Sequence, residues 1–271
     1  MRLAILGSPH PASLPPAVGI ELEQLPLRVA AFARTPYDHL FVEIAHIDGA
    51  ERAETMGFDG ILLDTFADYG IERMRHSVSI PVYGAGEEGI RAAGADGRRY
   101  SVVTVWPTDL AYIYEERLAS CEGGATCAGV HFFSAAEELE LIASPDGVQA
   151  RMGRQETALV DALAQACRDA VQADGSDAVL CGCTCMAPIG PLLQERCEFP
   201  ILECSRIGQA AAMTALRHGA APAGRTLSPR RGDVRALVDL WLGEDASGPD
   251  AVDELECAPC AVVSAVQHAA G

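Results

Sequence analysis

Hydrophobic positions along the chain fall into short runs separated by stretches of helical period. Residues 3–6, 60–63, 80–83, 100–105, 129–133, 178–181 and 201–202 read as buried strands, with 27–32 and 40–44 as further strand candidates. Between them, 48–56, 71–76, about 109–118, 207–216 and 234–242 read as helices. Leu159, Leu163, Cys167 and Val171 recur four apart, as on one apolar face of a longer helix. Gly57 follows the first of these helices as a natural C-terminal stop. Runs that are apolar throughout belong to strands covered on both faces. Their alternation with helices predicts an α/β fold of mainly parallel sheets.

Two segments share one pattern. Asp59-Gly60-Ile61-Leu62-Leu63-Asp64-Thr65 is followed by Ile80-Pro81-Val82, and Asp177-Ala178-Val179-Leu180-Cys181-Gly182-Cys183 is followed by Phe199-Pro200-Ile201. Each reads as an acidic turn, a buried strand, a polar residue, a helix, then a strand opened by X-Pro. The repeat is consistent with two similar domains, and if they pair face to face about a pseudo-two-fold axis, equivalent residues of the two flank one cleft. The expected division is 1–98 with about 206–242 in the first, 99–205 in the second, and 243–271 as a tail. Ligands of open parallel sheets bind beyond the carboxyl ends of the strands. Thr65 and Cys183 both stand at such an end, so they are expected to flank one cleft between the halves.

Composition narrows the partners. A net charge of −18 repels nucleic-acid backbones and anionic membranes, so neither is an expected partner. No apolar run reaches the ~18 residues of a membrane span, and the start is too short for a signal-peptide core; a cytoplasmic location is expected. The 10 cysteines are spread over a chain too long for a disulfide-stapled miniprotein, so most are expected to act as small buried apolar residues. Cys181, Cys183 and Cys185 alternate, a spacing unsuited to a closed tetrahedral metal site, and Cys181 and Cys185 are read as packing residues. Cys257 and Cys260, in the tail, lack a second pair. No metal is expected.

Several motifs resemble the aspartate/glutamate racemase superfamily, and within it the hydantoin racemases. Gly182-Cys183-Thr184-Cys185-Met186 resembles the second catalytic motif, and Thr65-Phe66-Ala67-Asp68-Tyr69-Gly70 the first. Ser79-Ile80-Pro81-Val82-Tyr83-Gly84-Ala85-Gly86-Glu87 and Ser101-Val102-Val103-Thr104 match two further signatures. Gly7-Ser8-Pro9-His10 stands in the place of a substrate-holding first loop. The resemblance covers roughly 1–220. It implies a cofactor-independent enzyme, commonly a homo-oligomer, in which one cysteine per half exchanges a proton with opposite faces of a carbon acid. Two departures stand out: the first cysteine is Thr65, and the first-loop asparagines are Ser8 and His10.

The resemblance implies Cys183 as the catalytic thiol. A thiol has a reference pKa of about 8.5, near enough to neutrality for reversible proton transfer, and a helix N-terminus lowers it further. A helix starting near Pro188 is expected to serve that role. Thr65 carries no proton that exchanges near neutral pH but can hydrogen-bond a small carboxylate-like substrate. Ser8, Pro9, His10, Phe66, Thr104 and Thr184 are expected around the substrate, with Trp106 either in the pocket wall or in the core and Glu87 in a helical first turn. Three chemistries stay open: racemisation or isomerisation with Asp64, Asp68 or His10 as second base; decarboxylation of a malonate-like acid by Cys183 alone; and covalent attack by Cys183. A further alternative is a binding protein that kept the fold and lost turnover, of which Thr65 would be the mark.

Overall fold

The computed structural model describes residues 1–7, 19–219 and 226–243. Eight strands and nine α-helices follow one another as β1 (Arg2–Gly7), β2 (Glu21–Gln24), α1 (Pro36–Thr55), β3 (Gly60–Asp64), α2 (Ile71–Ser77), β4 (Val82–Gly84), α3 (Ala85–Ala93), β5 (Tyr100–Thr104), α4 (Ala111–Ser120), β6 (Cys127–Phe132), α5 (Val148–Gly153), α6 (Thr157–Asp174), β7 (Ala178–Cys181), α7 (Gly190–Gln194), β8 (Ile201–Glu203), α8 (Cys204–Arg217) and α9 (Asp233–Leu242) among the described residues. The strands form two parallel sheets, ordered β2-β1-β3-β4 and β6-β5-β7-β8. The predicted α/β class and the parallel sheets are both present.

The repeat seen in the sequence is a repeat of backbone pairing. Leu62 lies opposite Tyr83 and Leu180 opposite Leu202. Ile61 N–H donates to Pro81 and Val179 N–H to Pro200, at 2.9 and 3.0 Å; Asp59 N–H donates to Arg2 and Asp177 N–H to Arg99, both at 2.8 Å. The two halves are thus built on one plan.

They meet through α3 and α8, which follow the equivalent strands β4 and β8. A Cβ on Gly89 would lie 2.8 Å from Cys204 Cβ, and one on Gly208 would lie 2.7 Å from Ala85 Cα. Each helix therefore contributes a glycine that lets the other's first residue approach. The helices also exchange partners. Ile90 and Ala93 of α3 join the core of the second sheet, while Ala212 and Leu216 of α8 pack on Leu3 and Leu62 of the first. α8 thus returns the chain to the first half, and α3, expected in the first half, buries its apolar face against the second.

Three local expectations change. Residues 40–44 are helical, because Thr35 and Asp38 form a capping box with Pro36 in the first turn, starting α1 well before residue 48. Residues 27–32 form no strand; Leu27, Ala31 and Phe32 instead wall a cleft. β2 is a mostly polar, solvent-facing edge strand with no apolar run to announce it. Downstream, α9 is held to α1 by Arg28, which pairs with both Asp48 and Asp239, and by Glu51, which accepts from Gly232 N–H at 3.0 Å. No helix among the described residues is long and apolar enough to cross a membrane.

Candidate active site

The carboxyl ends of β3 and β7 open into one cleft of about 150 Å³, lined among others by Thr65 and Cys183. The juxtaposition rests on direct bonds. Thr184 Oγ1 donates 2.8 Å to the carbonyl of Asp64, tying the second corner to the first. Gly7, at the end of β1, has φ +111, and a Cβ there would lie 2.6 Å from Thr65 Cγ2. Only glycine lets β1 end against the threonine corner.

Cys183, two residues beyond β7 in extended backbone, caps the single helical turn at Thr184–Met186 and accepts Cys185 N–H at 3.2 Å. The turn begins directly after Cys183 rather than near Pro188; the next helix is the short α7. An N–H aimed at sulfur favours a thiolate over a thiol. Cys185, read from the sequence as a packing residue, also lines the cleft and is joined to Cys183 by a disulfide, with their Cα atoms 5.1 Å apart. Cys181 is buried in the sheet, and burial pushes its thiol far above the ordinary range.

The first corner is unlike the second. Thr65 Oγ1 and Asp64 Oδ1 are buried without a hydrogen-bond partner among the described residues, and both residues line the cleft. Burial pushes the Asp64 carboxyl up to about 7, opposed by a hydrogen bond from Ser205. A group with that proton affinity can take or give a proton near neutrality.

Apart from His46 and Gln149, the remaining side-chain walls are mostly apolar or aromatic. Phe32 packs on Trp106 with ring centroids 5.2 Å apart, and Phe66 on Tyr114 at 5.1 Å. Phe66 and Thr184 lie in the lining, and Trp106 is one of its walls. Among the described residues no arginine or lysine belongs to that lining.

Two expected site residues do other work. Asp68 accepts from Gly86 N–H at 3.0 Å and Glu87 N–H at 2.6 Å and pairs with Arg117 at 2.9 Å. It fastens the start of α3 to the first corner and is turned away from the cleft. This explains Gly84 and Gly86 in their motif, since a Cβ on either would collide with Asp68 or the Phe66 carbonyl. Thr104 bonds the Tyr114 hydroxyl, which donates 2.9 Å to the Gly182 carbonyl, so it braces the cysteine corner from behind. Glu87 pairs with Arg75 in the first turn of α3. Ser8, Pro9 and His10 lie outside the described residues, as do Cys257 and Cys260. Among the described residues no cluster of three or more His, Cys, Asp or Glu side chains could hold a metal.

His46 is a site residue that the sequence did not single out. It lies on α1, is 3% exposed, and joins the same cleft lining as Thr65. Nothing local marks it; only the packing of α1 across the first corner brings it there.

The fold and cleft define a two-lobed, pseudo-symmetric α/β protein with its site between equivalent strand ends. The chain belongs to the Asp/Glu/hydantoin racemase family, whose model matches residues 9–215. It is 26% identical over 180 residues to a hydantoin racemase of Paenarthrobacter aurescens, covering 66% of this chain and 70% of the relative. Among solved structures it resembles allantoin racemase from Klebsiella pneumoniae, with a TM-score of 0.68 at 19% identity over 86% of this chain and 92% of that one. A variant of arylmalonate decarboxylase in liganded form shares the fold at a TM-score of 0.53 and 18% identity, over 86% and 97% of the chains. The family placement makes this chain an enzyme of the racemase superfamily.

Proposed function

We propose that this chain is a cofactor-independent racemase of a small, ring-shaped carbon acid of the hydantoin kind, with Cys183 and Asp64 serving opposite faces of the reacting carbon. The observation that carries this reading is the cleft itself. It sets a helix-capping cysteine and a buried carboxyl at or just beyond the ends of equivalent strands, ties them by the Thr184–Asp64 bond, and surrounds them with mostly apolar walls that hold no arginine or lysine among the described residues. A free dicarboxylate would find no cation there, whereas a neutral ring would lose little on entering.

In the reduced enzyme, the Cys183 thiolate takes the proton from one face of the carbon next to the carbonyl. The electron pair delocalises onto the carbonyl oxygen as an enolate. The protonated Asp64 carboxyl returns a proton to the other face, leaving a thiol and a carboxylate. The opposite enantiomer runs the same steps backwards, so protons and charge balance. Thr65, with its free hydroxyl, offers a hydrogen bond to the developing oxygen.

Solvent-deuterium exchange of enantiopure 5-substituted hydantoins in the presence of reductant tests this reading. Label entering with inversion, and converging on both enantiomers, supports it. Carbon dioxide release from an arylmalonate, with label in one product enantiomer only, would replace it by single-cysteine decarboxylation. Unchanged turnover in Cys183→Ala would remove thiol chemistry altogether.

A further inference from the structure

Within the cleft, His46 has a defined hydrogen-bonding state. Its Nδ1 lies 2.7 Å from the Val42 carbonyl, one helical turn earlier. A carbonyl only accepts, so Nδ1 carries the proton and Nε2 presents a lone pair. That Nε2 is buried and has no partner among the described residues. Burial, aided by the nearby His39 and opposed by the Val42 bond, holds the imidazole down to about 4, so it stays neutral near pH 7. The ring lines the cleft and is tilted against Tyr69 at 5.5 Å between centroids.

An unpartnered acceptor on a cleft wall is satisfied by a donor on the ligand. The same lone pair repels a carboxylate. Among the described residues the lining holds no arginine or lysine to offset that repulsion. We infer that His46 determines specificity in this cleft: its Nε2 accepts a hydrogen bond from an N–H of the substrate and so selects a neutral ring amide over an open-chain carboxylate. This rests on reading the cleft as the site of a ring carbon acid, and it names the residue that reads the ring's N–H. His46 makes no proton transfer in this scheme; it acts by binding.

The test measures Kd by calorimetry for the reduced full-length protein with three probes. These are 5-benzylhydantoin and its N1-methyl and N3-methyl derivatives, each of which loses one ring N–H without becoming charged. In the wild type, one of the two changes is expected to weaken binding about tenfold, as loss of one buried hydrogen bond does. In His46→Phe and His46→Leu, two apolar replacements of different size, that penalty is expected to fall within about twofold. Either variant suffices if it melts cooperatively. A penalty that persists in the variants overturns the assignment, as does a wild type indifferent to both changes. Binding of the hydantoin without deuterium exchange would remove the proposed reaction while leaving the His46 contact standing. Absence of binding by the folded wild type would overturn both.

Discussion

Thr184 Oγ1 donates a 2.8 Å hydrogen bond to the backbone carbonyl of Asp64, across 120 residues of sequence. The residue after the cysteine thereby holds the residue before the threonine, and one hydroxyl ties the two corners directly. Thr184→Val removes the donor at constant shape. It is expected to cost about 1–2 kcal/mol in urea unfolding and to reduce kcat more than it raises KM. Thr184→Ser should recover most of both. A Thr184→Val protein with wild-type stability and turnover would show that the bond does not set the site.

The unequal corners lead to a paired expectation. Asp64→Asn keeps the shape and removes the exchangeable proton, so racemisation should fall at least about a hundredfold. Exchange without inversion through Cys183 should survive. Thr65→Cys places a second thiol where the family resemblance has one, and should raise racemisation above wild type. Chiral chromatography of deuterated product separates these outcomes, and inversion at wild-type rate in Asp64→Asn would exclude Asp64 as the second proton carrier.

The linkage of Cys183 to Cys185 predicts dependence on redox state, because a bonded sulfur is neither base nor acid. Two thiols become the disulfide by giving two electrons and two protons to an oxidant such as glutathione disulfide. Activity should rise on adding dithiothreitol and fall again with oxidised glutathione. Cys185→Ser should be active without reductant and resist that oxidant. Thiol titration should give two more reactive groups in the reduced than in the oxidised wild type; equal titres and equal activities would show that the pair has no bearing on turnover.

Asp64 and His46 pull stability in opposite directions with pH. Burial raises the Asp64 carboxyl from 3.8 to about 7, so the folded state keeps a proton that the unfolded chain has lost, and its contribution declines as pH rises through that window. Burial lowers His46 from 6.5 to about 4, so the unfolded chain gains a proton that the folded state refuses, and its contribution declines as pH falls through that window. Relative to wild type, Asp64→Asn should gain stability as pH is raised from about 4 to 7, and His46→Phe should lose it over the same range. Urea melts at a series of pH values read both slopes, and matching slopes in the two variants would contradict the burial of one of them.

The α3–α8 contact sets the relation of the two lobes. Gly208→Leu would force a side chain into Ala85 and is expected to destabilise by about 2–3 kcal/mol. Because the cleft lies between the lobes, KM should also rise. A leucine accommodated without change in melting or kinetics would mean that the helices separate freely.

The sequence by itself determined the strand-helix alternation, the two equivalent halves, and the corners at Thr65 and Cys183. Each of these is written in local period, turn chemistry and motif spacing. It also marked Asp64, whose carboxyl closes an otherwise apolar strand. Tertiary structure decided what those signals meant. Asp68 and Thr104 read as site residues from their motifs, but the folded chain uses one to fasten α3 and the other to brace Tyr114. His46 sits within a helix with no signature at all and becomes a wall of the cleft only when α1 packs across the first corner. Residues 27–32 looked like a strand because walls of an apolar cleft and strands of a core both need apolar side chains. Which atoms share a cavity, and which polar groups are left unpaired in it, follows from packing between segments far apart in the chain, and no local pattern encodes that.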